Sequence, residues 1–199
     1  MKIIQRCTIF FLLVLLCTGC GSMLDVRSFM HPEADFSFYQ KVGVLPFANQ
    51  TDDDLAGEKV TEHFMTEVLI NGALEVMDPG QFQAVVTQVG RSAAPGKTLG
   101  LSPDQLGQIA DISGVQGIFE GIVHEYSMIQ LGGERYPVIS MTVKFVDAPT
   151  GTVVWQSNIT ARGGPNLPIV SIGESFLLGE LTQKVVRKVV KDFYKKADI

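Results

Sequence analysis

The 199-residue chain contains three cysteines, Cys7, Cys17 and Cys20, and none beyond residue 20. Whatever folds after that point has no disulfide framework, no cysteine nucleophile and no cysteine-ligated metal, and must be stable through its core alone. The chain also lacks a long apolar run. Its most hydrophobic stretch, Cys7 to Leu16 (CTIFFLLVLL), is half the length that a helix needs to cross a hydrocarbon core ~30 Å thick. Basic residues are in the minority, 16 against 21 acidic. An acidic chain gains nothing from a polyphosphate, so nucleic acid is excluded as the expected partner.

What is present begins at the N-terminus. Lys2 and Arg6 form a basic stretch, the short apolar run follows, and Leu16-Cys17-Thr18-Gly19-Cys20 closes it. This is the layout of a signal peptide over residues 1–19. The small residues Thr18 and Gly19 before Cys20 resemble the lipobox of bacterial lipoproteins, with a departure at Cys17, where Leu is usual. The resemblance implies cleavage between Gly19 and Cys20, acylation of Cys20 with chains such as palmitate, and attachment to a membrane through lipid. Several acyl chains make such attachment stable, whereas one is marginal. Gly21 is not the Asp that retains this class at the inner membrane, so the periplasmic face of the outer membrane is expected. Cleavage would remove Lys2 and Arg6 and no acid, leaving 14 basic and 21 acidic residues and a formal charge of −7.

Residues 21–38 show no sustained periodicity. Residues 20–39 therefore read as a lipidated tether with a maximum reach of roughly 60 Å, shortened by docking of Phe36, Phe38 and Tyr39 onto the domain. Residues 40–199 read as one domain, long enough for a single core. Lys41–Phe47 is a buried first strand. A helix runs from Asp52 to about Asn71, with Leu55, Val60, Phe64, Val68 and Leu69 as its apolar stripe and Gly72 as its stop. Ala73–Met77 is a short second strand. Asp78-Pro79 and Ser102-Pro103 each open a helix with an N-cap, a proline at the first helical position and a glutamine placed for a capping box.

Three β-rich segments follow, Val115–Ile129, Val138–Asp147 and Thr152–Ala161, the last two joined by the turn Asp147–Gly151. In the second, Ile139, Met141, Val143 and Phe145 alternate with Ser140, Thr142 and Lys144, which predicts one buried and one wetter face. Ile172–Lys196 is a final amphipathic helix, its second half crowded with lysines favourable to the negative end of the helix dipole. The order β-α-β-α-α-β-β-β-α defines an α/β (α+β) domain, three-layered, with helices packed on a mixed sheet.

Val42–Asn49 (VGVLPFAN), Leu69–Asp78 (LINGALEVMD) and Val146–Trp155 (VDAPTGTVVW) together resemble the CsgG/LpoB-like family of bacterial envelope lipoproteins, nearest to the small lipoproteins of that fold, which is shared with the TolB N-terminal domain. The similarity spans about residues 40–165, and its motifs are strand ends, a helix stop and a turn, which speak to fold more than function. It implies a non-enzymatic accessory factor of envelope assembly or secretion, acting by contacts with an unidentified envelope protein. The alternatives are an oligomeric subunit of a CsgG-like secretion complex and an LpoB-like activator of a peptidoglycan synthase. A membrane-spanning strand needs about 9–11 residues and a hairpin twice that. Neither Ser127–Arg135 nor Ala148–Gly151 is long enough, so no pore is expected from one chain.

Motifs that would carry chemistry are weak. Gly90–Thr98 has five residues between its glycines where a phosphate loop has four, and a helix precedes it. Gly173-Glu174-Ser175-Phe176-Leu177 lacks the final glycine of a nucleophile elbow. His31, His63 and His124 share no ligand spacing. Asp52–Asp54 lacks the alternation of a calcium loop. Trp155 reads as core. No catalytic residue, metal ligand or cofactor is therefore expected, and Cys20 stands as the single covalently functional residue.

Overall fold

The computed structural model describes residues 25–90, 101–164 and 175–199. The first strand, β1 (Asp25–Met30), lies inside the segment expected to be a free tether. It pairs antiparallel with a distant strand, Asp25 opposite Thr160 and Met30 opposite Trp155, so residues from Asp25 on belong to the sheet and not to a free tether. The physical reason is a non-local ladder, which a period search over residues 21–38 cannot register. Of the three aromatic residues expected to dock, Phe36 and Tyr39 are buried against the core, whereas Phe38 is 55% exposed.

β2 (Lys41–Val44) and the two-residue β3 (Ala48–Asn49) follow, then α1 (Ala56–Asn71), β4 (Glu75–Val76), α2 (Pro79–Gln88), α3 (Pro103–Ser113), β5 (Gly117–Leu131), β6 (Glu134–Asp147), β7 (Val153–Arg162) and α4 (Leu178–Ala197). The cap residues act as the sequence indicates. Asp78 accepts from the Gln81 amide, Ser102 and Gln105 complete a reciprocal capping box, and α1 and α3 stop at Gly72 and Gly114, both with positive φ. α1 begins at Ala56, later than expected, because Asp53 folds back onto the Leu55 amide and the Lys59 ammonium.

The sheet order is β1-β7-β6-β5-β2-β4, with β3 also on β5. β2 is parallel to β4 and β5, while β5, β6, β7 and β1 form an antiparallel run. Neighbouring residues of β5 face opposite layers. Phe119 packs with Phe64 of α1 and Phe193 of α4, whereas Ile118 packs with Phe82 of α2 and Ile109 of α3. α1 and α4 thus cover one face, and α2 and α3 cover part of the other, giving the three layers expected. Trp155 is fully buried, its ring 5.1 Å from that of Phe193. The alternation in β6 holds, with Ile139, Met141, Val143 and Phe145 all buried. Burying this set, at about 25 cal/mol per Å², is the main source of stability.

Candidate functional site

Cys20 and Gly19, the residues of the expected lipidation and cleavage, lie outside the described residues, as do residues 91–100 and the first three residues expected for the last helix. Ser175, Phe176 and Leu177 are described and not helical, so that helix begins at Leu178, after Leu177 as extended N-cap, and not at Ile172. Among the described residues no helix is long and apolar enough to cross a membrane, and no three His, Cys, Asp or Glu side chains stand close enough to hold a metal. The histidines are separated: His31 accepts from the Glu33 amide in a turn, His63 sits on α1, and His124 lies on β5. Asp53 is committed to Lys59, 2.9 Å away, and that hydrogen bond holds its carboxyl below the usual range. Asn49 donates to the Asp53 carbonyl at 2.7 Å, so it is part of the turn before α1.

Two surfaces stand out from this background. The first is a groove along the outer flank of α1. Its floor and walls include Pro46, Met65, Leu69, Val76 and Pro79, with Leu55 at one end, in two adjoining cavities of about 510 and 650 Å³. The groove exists because α1 is apolar over more than one stripe. Val60, Phe64 and Val68 are at most 1% exposed, while Leu55 and Leu69 are 53% and 60% exposed. The first three lie about 400° apart, and thus on one side of the helix, whereas Glu58, Glu62, Met65 and Leu69 share the flank beside it. Both leucines were expected in the core. Five-residue spacing from Val60 and Phe64 turns both off the buried side of the helix, toward the flank at the β4 edge of the sheet.

Asp54, Glu58, Glu62 and Asp78 lie along the groove, and among the described residues no basic side chain pairs with Asp54, Glu58 or Glu62. Gln83, from α2, lines it too, and its buried Oε1 has no hydrogen-bond partner among the described residues. The trough thus offers apolar surface flanked by negative charge, which complements a ligand carrying basic and apolar groups.

The second surface is the part of the sheet that α2 and α3 leave uncovered. Polar side chains cross it strand by strand. Gln50 meets His124 at 2.9 Å, His124 meets Thr142 at 2.9 Å, and Thr142 donates to Asn158 at 2.7 Å. Ser140 and Thr160 form a parallel rung at 2.9 Å. These bonds satisfy the side chains with one another, and the row contains no nucleophile set against a base and an oxyanion site. It is a wet sheet face of the kind that antiparallel sheets present.

The fold defines the class first: a single mixed-sheet domain with two helices on one face and two on part of the other. No protein-family model matches the sequence, and no curated protein matches it. Solved structures do share the fold. The PelC dodecamer from Paraburkholderia phytofirmans superposes with a TM-score of 0.56 at 19% identity, over 84% of this chain and 94% of that one. Lipoprotein GNA1162 from Neisseria meningitidis gives 0.54 at 19% identity, over 76% and 99%. Protein CT253 from Chlamydia trachomatis gives 0.52 at 13% identity, over 80% and 98%. At such identities the similarity establishes the architecture and leaves function to the surfaces.

Proposed function

We propose that the chain is a lipid-anchored lipoprotein of the bacterial outer membrane, facing the periplasm, and that it acts without catalysis by docking another envelope protein in the α1 groove. The observation that carries the reading is the exposure of Leu55 and Leu69 beside Glu58 and Glu62, which have no basic partner among the described residues, on a helix that buries Val60, Phe64 and Val68 on another side. Apolar surface that the fold does not use, bordered by charge of one sign, is what a complementary partner covers. The lipobox-like Cys20 and the shared fold of a lipoprotein support the anchored location.

A photo-crosslinking residue at Met65 in intact cells is expected to give one dominant adduct, and Glu58→Lys with Glu62→Lys is expected to abolish it. The same adduct from a crosslinker at Gln88, away from the groove, would overturn the assignment. Fractionation of wild type and Cys20→Ser tests the anchor, with loss of membrane association expected in the variant.

A second reading has its own support. The PelC structure of this fold is a dodecamer, and the two ends of the present sheet, β1 and β4, differ, each having no further strand beside it among the described residues. Unlike edges favour head-to-tail contacts that close into rings. The native mass in detergent separates the two readings: a stable assembly of many copies would overturn the monomeric accessory reading and favour an oligomeric subunit.

A further inference from the structure

The chain enters the sheet at Asp25, and only Gly21–Leu24 separate that residue from Cys20. The path from Asp25 back to Cys20 reaches about 18 Å when fully extended. The direction of β1 at Asp25 sets where that path begins. Asp25 lies opposite Thr160, Thr160 lies opposite Ser140, and β1 runs antiparallel to β7. The polypeptide therefore arrives from the end of the sheet where β5 and β6 run on past their neighbours to the turn between Leu131 and Glu134. The six residues from Ser140 to Glu134 carry that hairpin about 20 Å beyond the level of Asp25, at ~3.4 Å per residue. Linker and projection have the same length. An acylated Cys20 reaches a bilayer when the hairpin tip stands at the bilayer surface, or when the domain lies over on its β1 edge.

The side chains at the tip distinguish these orientations. Leu131 is 43% exposed, and Phe176 and Leu177, which precede α4, are 47% and 63% exposed. Tyr136 lies two pairs in from Leu131 on the same face, with its ring 6.3 Å from that of Phe176. Bonds from the Gly163 amide to the Pro137 carbonyl and from the Gly164 amide to the Ser175 carbonyl hold these residues at the base of the hairpin. Leucines and aromatic rings fit the boundary between headgroups and acyl chains, while Glu134 keeps the tip from going deeper.

We infer that the β5–β6 hairpin tip, with Phe176 and Leu177 beside its base, is the surface by which the anchored domain rests on the phospholipid interface. This rests on the reading of Cys20 as the acylated residue. It also fixes the aspect of the domain: the tip faces the membrane, and the opposite end of the sheet faces the periplasm.

The test uses the full chain, expressed with its own signal in a bacterium. Acylation consumes the thiol of Cys20, so a cysteine introduced at Leu131, Phe176, Phe29 or Ile112 is the sole labelling site. Each variant is labelled with a polarity-sensitive fluorophore and reconstituted in vesicles of phosphatidylethanolamine and phosphatidylglycerol containing a nitroxide-lipid quencher. Blue-shifted emission and severalfold stronger quenching are expected for Leu131→Cys and Phe176→Cys than for Ile112→Cys on α3. Strong quenching at Phe29→Cys with water-like Leu131→Cys would mean that the domain lies on its edge and would overturn the inference, as would water-like emission at all four positions. Mass measurement distinguishes the underlying reading: lack of acyl mass on Cys20 would overturn both, whereas an acylated chain with a water-like tip would overturn the docking surface alone.

Discussion

α1 and α4 lie side by side on one face of the sheet, yet they use their surfaces differently. α4 buries Leu181, Val185, Val189 and Phe193 and turns mostly charged side chains to water, including Lys191 and Lys195. α1 buries Val60, Phe64 and Val68, then presents Leu55, Leu69 and Ile70 outside the core. The helix at the centre of the fold is economical with apolar surface, and the helix at its edge is not. The difference teaches that, of these two helices, α1 is the one that carries large apolar side chains beyond what the core beneath it uses.

The contrast is broken most severely at the core of α4. The Phe193 ring lies 5.1–5.5 Å from those of Phe36, Phe119, Phe145, Trp155 and Tyr194, so four elements besides its own meet on it. Phe193→Ala is expected to lower stability by about 3–5 kcal/mol through the cavity it leaves, read as a fall in the urea midpoint. Next comes the pair that ties the two helices together. Arg187 of α4 holds Glu67 of α1 at 3.2 Å, and Glu67 is only 7% exposed. Arg187→Ala leaves a carboxylate without its partner and is expected to cost about 1–3 kcal/mol, whereas the double variant with Glu67→Gln should recover part of that loss.

The acid limb of the pH profile gives a smaller effect. The Asp53 carboxyl, hydrogen-bonded by Lys59, titrates below its ordinary value. A depressed folded value means that the stabilising contribution is present above the unfolded value of about 3.9 and is lost as pH falls through the folded one. The Asp53 side chain is 33% exposed, so water screens the pair. Asp53→Asn is expected to cost no more than about 1 kcal/mol at pH 7 and to make that loss shrink toward pH 3, checked by urea midpoints at the two pH values.

The two helices also differ in how legible they are. α4 can be read from residue spacing, because Leu181, Val185, Val189 and Phe193 repeat every four residues and all are buried. The caps at Asp78 and Ser102 and the alternation in β6 are local signals that the fold honours. β1 is invisible, since its inner face reads Val26-Ser28-Met30 and Ser28 is there to accept from Lys196 rather than to fill a core. The groove is equally hidden. Leu55 and Leu69 stand five residues from Val60 and Phe64, so helical spacing already turns them off the buried stripe; what spacing cannot show is that the flank they fall on lies at the β4 edge of the sheet. The polar row Gln50–His124–Thr142–Asn158 depends on strand register, which spacing within one segment does not contain.

The smallest effect on stability is expected where the functional consequence is largest. Leu69→Gln replaces an apolar side chain with a polar one of nearly equal helix propensity at a position 60% exposed. A surface change of this kind moves stability by no more than about 0.5 kcal/mol, so the urea midpoint should stay within that range of wild type. Crosslinking from Met65, one turn away, should nevertheless fall sharply, because the trough has lost one of its apolar walls. If Leu69→Gln instead unfolded the domain as Phe193→Ala is expected to, the flank would belong to the core and the contrast between the helices would disappear. If it changed neither stability nor crosslinking, the surplus leucines would be solvent-tolerated, and the docking surface would have to be sought on the open sheet face or at its edges.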